Sequence, residues 1–399
     1  MAPTLKSFFL LTLGVLCVQM ASSGIIETPA SSSHNLFAAN IFSVISESRK
    51  QENMVFSPAS IQASMALVYL GAEGLTAQEI QKGLQLSVGD KQAIATKYGD
   101  FLKVNFHKQD GAELKMANAI FVDDSLQLSP KFAQLAAQSF NSTAKSLHFA
   151  NADESMNNIN AWVESQTNSK IKNLLQPGSV DQDTSSVLVN ALYLKAKWAV
   201  PFSKEATEKA DFALNSDERV KVDMMFSEDD YKYGEFDNLN ATVLEMKYDN
   251  TDLTMMILLP KNVDGLADLE NNLKNVDLQK DVSDKLETED VRLLLPKFKI
   301  EFDIDLKDPL HKLGVSKLFS DNADLSLFEP KTQQKVSEAK HKAYLEVNES
   351  GTEAAAATYM KIVPMSLNLN QKTFFADHPF VFAVRNSQTV FFIGHVAKL

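Results

Sequence analysis

Glu349-Ser350-Gly351-Thr352-Glu353-Ala354-Ala355-Ala356-Ala357-Thr358-Tyr359-Met360-Lys361-Ile362-Val363-Pro364-Met365-Ser366 supports two structures at once. Ala and Glu are strong helix formers, so a short surface helix is one reading. At period two the segment sorts differently. Thr352, Ala354, Ala356, Thr358, Met360 and Ile362 make an uncharged face, while Glu353, Ala355, Ala357, Tyr359, Lys361 and Val363 make a face holding both charges. That is the pattern of a strand with one side buried. A stretch able to be both exposed loop and strand is a two-state element. Small side chains at its start would let it enter between existing strands without overpacking. Roughly a dozen inserted residues would add about two dozen backbone hydrogen bonds, each worth about 0.5–1.5 kcal/mol before entropy is subtracted.

The rest of the chain is large enough to hold such a sheet. It has 399 residues, 45% hydrophobic and 23% charged, an ordinary globular composition. No Gly or Pro run divides it and no fixed-period repeat recurs, so one domain over residues 24–399 is expected. Residues 1–23 read as a cleaved signal peptide: Lys6, an apolar run from Phe8 to Val18, then Ala21-Ser22-Ser23. That run falls short of the roughly 20 residues a spanning helix needs. A secreted, extracellular protein with no membrane association is therefore expected. The only cysteine, Cys17, lies within the signal, which excludes disulfides, Cys-type zinc sites and thiol catalysis from the mature chain. A net charge of -12 argues against a nucleic-acid partner. Lys91, Lys97 and Lys103 are too sparse, and too interleaved with acids, to bind a sulfated polysaccharide.

Apolar spacing places helices early and strands late. Leu36 to Ile45 recur at helical spacing behind Ser32 and Ser33 as caps, and Ser57-Pro58 opens a second helix that stops at Gly71. Thr76 and Glu79 form a capping box for a third. Val187 to Leu194 reads as a strand buried on both faces. Ala241 to Lys247 and Leu253 to Leu259 flank Asp249-Asn250 as a hairpin, Val291 to Leu295 is a short strand, and Phe380 to Val384 pairs with Val390 to Val396 around Asn386-Ser387. An alternating strand covers Ala343 to Val347, with His341 just before it. Without regular alternation of the two element types, the fold class is α+β.

Catalytic chemistry is absent from the pattern. None of the seven histidines has metal-binding spacing, and there is no nucleophile elbow, phosphate loop or dinucleotide fingerprint. Asp303 and Asp305 read as solvated strand or loop carboxylates rather than a catalytic couple. No cofactor or metal is expected. Asn190, inside an apolar strand, needs buried partners or costs about 1–3 kcal/mol. Asn190 and His341 read as satisfied structural groups, suited to latching a sheet that opens and closes.

Ordered short matches run through most of the chain: Phe56-Ser57-Pro58-Ala59-Ser60, Asn118 to Val122, Ile159-Asn160-Ala161-Trp162-Val163, Asn190-Ala191-Leu192-Tyr193 through Trp198, Leu295-Pro296-Lys297, Ala323 to Ser326 and Asp377-His378-Pro379-Phe380. With Glu349 to Ala356 they make the chain resemble the serpin family from about Leu36 to Val396. The resemblance implies three β-sheets, eight or nine helices and an exposed reactive-centre loop at about residues 349–370. It implies an inhibitor whose loop is cleaved by a serine protease, whose hinge then inserts into the main sheet, and whose acyl-linked protease is distorted in a covalent one-to-one complex. Glu349 to Ala357 would be the hinge. Ser57, Ser60, Asn190 and His341 would be the polar cluster beneath the opening sheet, and Trp198, Lys297 and Glu349 the cluster at its top. Counting from Glu349 puts the scissile bond at Met365–Ser366, suited to an elastase- or chymotrypsin-like enzyme. Cleavage at Lys361–Ile362 or Tyr359–Met360 would shorten the insert and give substrate behaviour. A non-inhibitory serpin acting as carrier, storage protein or chaperone is the alternative, but such relatives usually have bulky or charged hinges. The protein is expected to be a monomer. Asn141 and Asn240 stand in glycosylation sequons, and Asn348 in a third expected to stay empty because a glycan there would obstruct insertion.

Overall fold

The computed structural model describes residues 29–86, 90–106, 111–126, 128–140, 144–326, 334–352 and 370–399. Among them are eight α-helices: α1 (Pro29–Ser46), α2 (Pro58–Gly71), α3 (Gly74–Gly83), α4 (Lys91–Asn105), α5 (Pro130–Phe140), α6 (Ala152–Gln166), α7 (Leu266–Asn272) and α8 (Lys307–Lys312), with a π-helical turn at Leu278–Val282. Every residue of α2 is buried, as expected of a helix enclosed by a large protein's core. Ser57 caps it, accepting the Ser60 amide, and Pro58 occupies the first turn, where its missing N–H costs nothing.

Two helix starts differ from the sequence reading. α1 begins at Pro29, so Ser33 lies within it and donates its hydroxyl to the Gln85 carbonyl. α3 has Glu73 at its N-cap with no side-chain cap bond. Thr76 instead accepts the Asp324 amide at 2.9 Å, and Glu79 accepts the amides of Ser316 and Lys317, both at 2.8 Å. Distant backbone donors have taken the oxygens that a local capping box would have used.

The six-stranded sheet has the order β10-β11-β12-β4-β2-β3, comprising β2 (Ala112–Asp123), β3 (Ala144–Leu147), β4 (Ser186–Lys197), β10 (Phe298–Asp305), β11 (Glu338–Asn348) and β12 (Gly351–Thr352). Its burial on both faces explains the unbroken apolar run in β4. Leu188, Leu192 and Leu194 face the main core, while Val187, Val189, Ala191 and Tyr193 face a second cluster with Ile159 and Val163 of α6. His341 lies inside β11, because the strand begins three residues before it, at Glu338. Asp305, on the edge strand β10, pairs with Lys340 at 2.8 Å.

The other strands form a nine-stranded network: β1 (Met54–Phe56), β5 (Glu208–Ala213), β6 (Arg219–Phe236), β7 (Ala241–Lys247), β8 (Thr254–Pro260), β9 (Glu287–Pro296), β13 (Lys372–Phe375), β14 (Phe380–Arg385) and β15 (Val390–Val396). The long strand β6 pairs with β5 through Arg219–Met224, with β9 through Met224–Tyr233 and with β7 through Lys232–Phe236. The second and third of the expected sheets thus run together through one strand. The hairpin of β7 and β8 turns at Asn250, whose φ is +51°, a left-handed conformation Asn tolerates.

Candidate functional site

The site is a seam. Strands β4 and β11 lie parallel, in register from Val187 opposite Glu338 to Tyr193 opposite Tyr344. Above Tyr344 they part. The two residues of β12 fill the gap, pairing antiparallel with β11 at Val347 and Asn348 and with β4 at Ala196 and Lys197. The start of the expected hinge is therefore already a strand of this sheet. Thr352 is wholly buried, on the inward face assigned to it by the period-two reading.

Below this point the seam is held by a polar cluster uniting all four residues expected there. His341 and Asn190 are direct neighbours across the parallel pair. The Ser57 amide donates to His341 Nε2 at 3.0 Å, so His341 Nδ1 carries the proton and donates to Asn190 Oδ1 at 2.5 Å. Ser60 Oγ donates to the same oxygen at 2.7 Å. Asn190 Nδ2 donates to the Ser60 carbonyl at 3.0 Å and to Ser64 Oγ at 2.8 Å. Ser64, one helical turn after Ser60, was not singled out in the sequence; the i, i+4 spacing of the two serines on α2 is the signal that marks it. Burial lowers the His341 pKa from 6.5 to about 3, so the imidazole is neutral at ordinary pH.

The top cluster is also assembled. Lys297 Nζ and Thr207 Oγ1 each lie 3.0 Å from Glu349 Oε1. Burial opposes the Glu349 charge, but hydrogen bonds from its own amide, Lys297 and Thr207 outweigh this and hold the carboxyl below its usual range. The Trp198 indole donates to the Asn348 carbonyl at 2.9 Å, and its amide to the Ser350 carbonyl at 3.1 Å. Tyr248, which the sequence reading passed over, stacks on Trp198 with centroids 4.5 Å apart and places its hydroxyl 2.7 Å from Thr352 Oγ1.

Gly351 has φ +145°, and a Cβ there would lie 2.1 Å from the Ala196 carbonyl oxygen. Only glycine passes so close to β4 without displacing it. Glu353 to Ala357, the Met365–Ser366 bond and the Asn141 sequon lie outside the described residues. Asn240 sits half-buried in the turn between β6 and β7. No helix among the described residues is long and apolar enough to cross a membrane, and they contain no His, Cys, Asp and Glu group that would hold a metal ion.

A family model for serpins (serine protease inhibitors) matches residues 32–399. The chain belongs to the serpin family. It is 39% identical to serine protease inhibitor 42Dd of Drosophila melanogaster over 360 residues, 90% of this chain and 94% of that one. The solved structure of Serpin48 from the insect Tenebrio molitor, described as a highly specific serpin, superposes with a TM-score of 0.86 at 33% identity, covering 94% of this chain and 99% of that one. Human thyroxine-binding globulin in complex with thyroxine is also similar, with a TM-score of 0.84, 30% identity and coverage of 92% and 98%. The serpin fold, α+β with mixed sheets and helices packed about them, is thereby established for this chain.

Proposed function

We propose that this serpin is a secreted suicide inhibitor of serine proteases, with Met365–Ser366 as its bait bond. The observation that carries this reading is β12: the hinge starts inside the sheet it would finish entering. The protease serine hydroxyl attacks the Met365 carbonyl, an ester forms, and the amine of Ser366 leaves with the C-terminal fragment. The residues after Thr352 then extend β12 downward between β4 and β11, parting the His341–Asn190 seam and carrying the ester-linked enzyme with them. Ala354 and Ala356 suit that path, because methyl groups follow Thr352 on the inward face. An unbranched methionine before the cut fits an elastase- or chymotrypsin-like pocket.

Secretion rests on the signal-like residues 1–23, and a monomer suffices for the mechanism. No cofactor is needed. Asn240 is proposed as a glycan acceptor together with Asn141. Asn348 is proposed to stay unmodified: its Oδ1 accepts the Ser350 amide at 3.0 Å, and Ser350 itself is buried.

The likeness to a thyroxine-bound globulin keeps a carrier as the second reading. Thr352→Arg separates the two. A guanidinium at a wholly buried site cannot be accommodated beside Trp198 and Tyr248 without expelling the hinge. The native protein is expected to form a covalent complex with a serine protease, and the variant to be cleaved without forming one. A variant that traps as well as the native protein would remove the insertion mechanism.

A further inference from the structure

Tyr248 does more than fill space beside Trp198. Its backbone is fastened to the end of β4 on both sides: the Ala199 amide donates to the Lys247 carbonyl at 2.9 Å, and the Asp249 amide to the Lys197 carbonyl at 2.8 Å. The stack on Trp198, at an interplanar angle of 14°, fixes the ring. The phenol therefore meets Thr352 from a rigid mount, and both hydroxyls are buried. Burial raises the Tyr248 pKa far above its ordinary value, leaving a neutral hydroxyl that can donate or accept.

The backbone bonds of β12 are the same for any residue small enough for the buried site at position 352. The hydroxyl pair is what distinguishes threonine there, and the next inward residues, Ala354 and Ala356, have no hydroxyl to offer Tyr248. Tyr248 therefore recognises one register of the hinge, with Thr352 at the head of the gap. As further residues enter below, Thr352 keeps its place, so the pair serves as the fixed end from which insertion proceeds.

We propose that Tyr248 is a positioning residue for hinge insertion, seating Thr352 before cleavage so that the remaining residues enter faster than the acyl ester hydrolyses. This rests on the inhibitory reading, since stoichiometry depends on the contest between those two rates. Losing the seat sends more ester to hydrolysis and raises the number of inhibitor molecules consumed per protease.

Two readouts on the full chain test it. Amide hydrogen exchange at Gly351 and Thr352 needs no protease. Tyr248→Phe is expected to speed it about fivefold, the effect of losing one buried hydrogen bond. With a serine protease that the native protein traps, Tyr248→Phe and Thr352→Val are each expected to raise the inhibition stoichiometry several-fold. The double variant should be no worse than either single change, and Thr352→Ser should restore near-native values. A merely structural tyrosine would shift the melting temperature and leave stoichiometry alone. Native exchange and native stoichiometry in both single variants would overturn the proposal. Failure of the native protein to trap any protease would instead sink the inhibitory reading, with the exchange result still deciding whether Tyr248 seats the hinge.

Discussion

A methyl group on Gly351 would meet the Ala196 carbonyl oxygen at 2.1 Å, so the smallest possible substitution there probes the whole hinge. Gly351→Ala is expected to dislodge β12 from the sheet, seen as rapid proteolysis around residues 349–353 while the remainder stays folded. At Asn190 the consequence is energetic. Its amide serves His341, Ser60 and Ser64, all buried. Asn190→Ala would strand several polar groups and is expected to cost about 2–5 kcal/mol, measured as a lower denaturation midpoint. His341 gives the seam a pH dependence. Its folded pKa of about 3 lies below the ordinary 6.5, so between those values the unfolded chain binds a proton that the folded chain refuses. The contribution is intact above pH 6.5 and declines as the pH falls toward 3, by about 1.4 kcal/mol per unit. Denaturation at pH 7 and pH 5 should show a steeper loss in the native protein than in His341→Phe.

At the scale of elements, the ion pair over β12 is a latch of modest strength. Lys297 is 37% exposed and Glu349 only 8%, so solvent screens one partner. Lys297→Ala is expected to cost about 1 kcal/mol and to loosen the hinge more than the core, measurable as hydrogen exchange confined to residues 348–352. Elements set by local pattern were legible beforehand. The strand at Val187–Leu194, the hairpin of β7 and β8 and the closing pair β14 and β15 follow from apolar runs and turn residues, and α2 from Ser57-Pro58. What escaped was settled by distant partners. Thr76 and Glu79 looked like a capping box until amides from residues 316, 317 and 324 took their oxygens. Tyr248 escaped because its role depends on Thr352, 104 positions away. Asn190 and His341 stood out as polar residues in or beside strand patterns, whereas their grouping with Ser57 and Ser60, and the cluster of Trp198, Lys297 and Glu349, came from family resemblance; no spacing rule links positions so far apart.

For the whole molecule, insertion requires the intact state to be kinetically held rather than the lowest in free energy. On the proposed mechanism, the seam between β4 and β11, paired from Val187–Glu338 to Tyr193–Tyr344, would supply the barrier, and the backbone hydrogen bonds of an inserted hinge would supply the gain. Cutting within residues 353–369 is accordingly expected to raise the melting temperature, the reverse of what nicking does to most proteins, as scanning calorimetry before and after cleavage would record. The most direct measurement is incubation of the protein with elastase, chymotrypsin, trypsin and subtilisin, followed by denaturing gels and sequencing of the released fragment. The expected result is a denaturant-resistant complex with one of these enzymes and a peptide beginning at Ser366. Cleavage with no complex would contradict the inhibitory mechanism, and a complex releasing a peptide that begins at Ile362 would contradict the assigned bait bond.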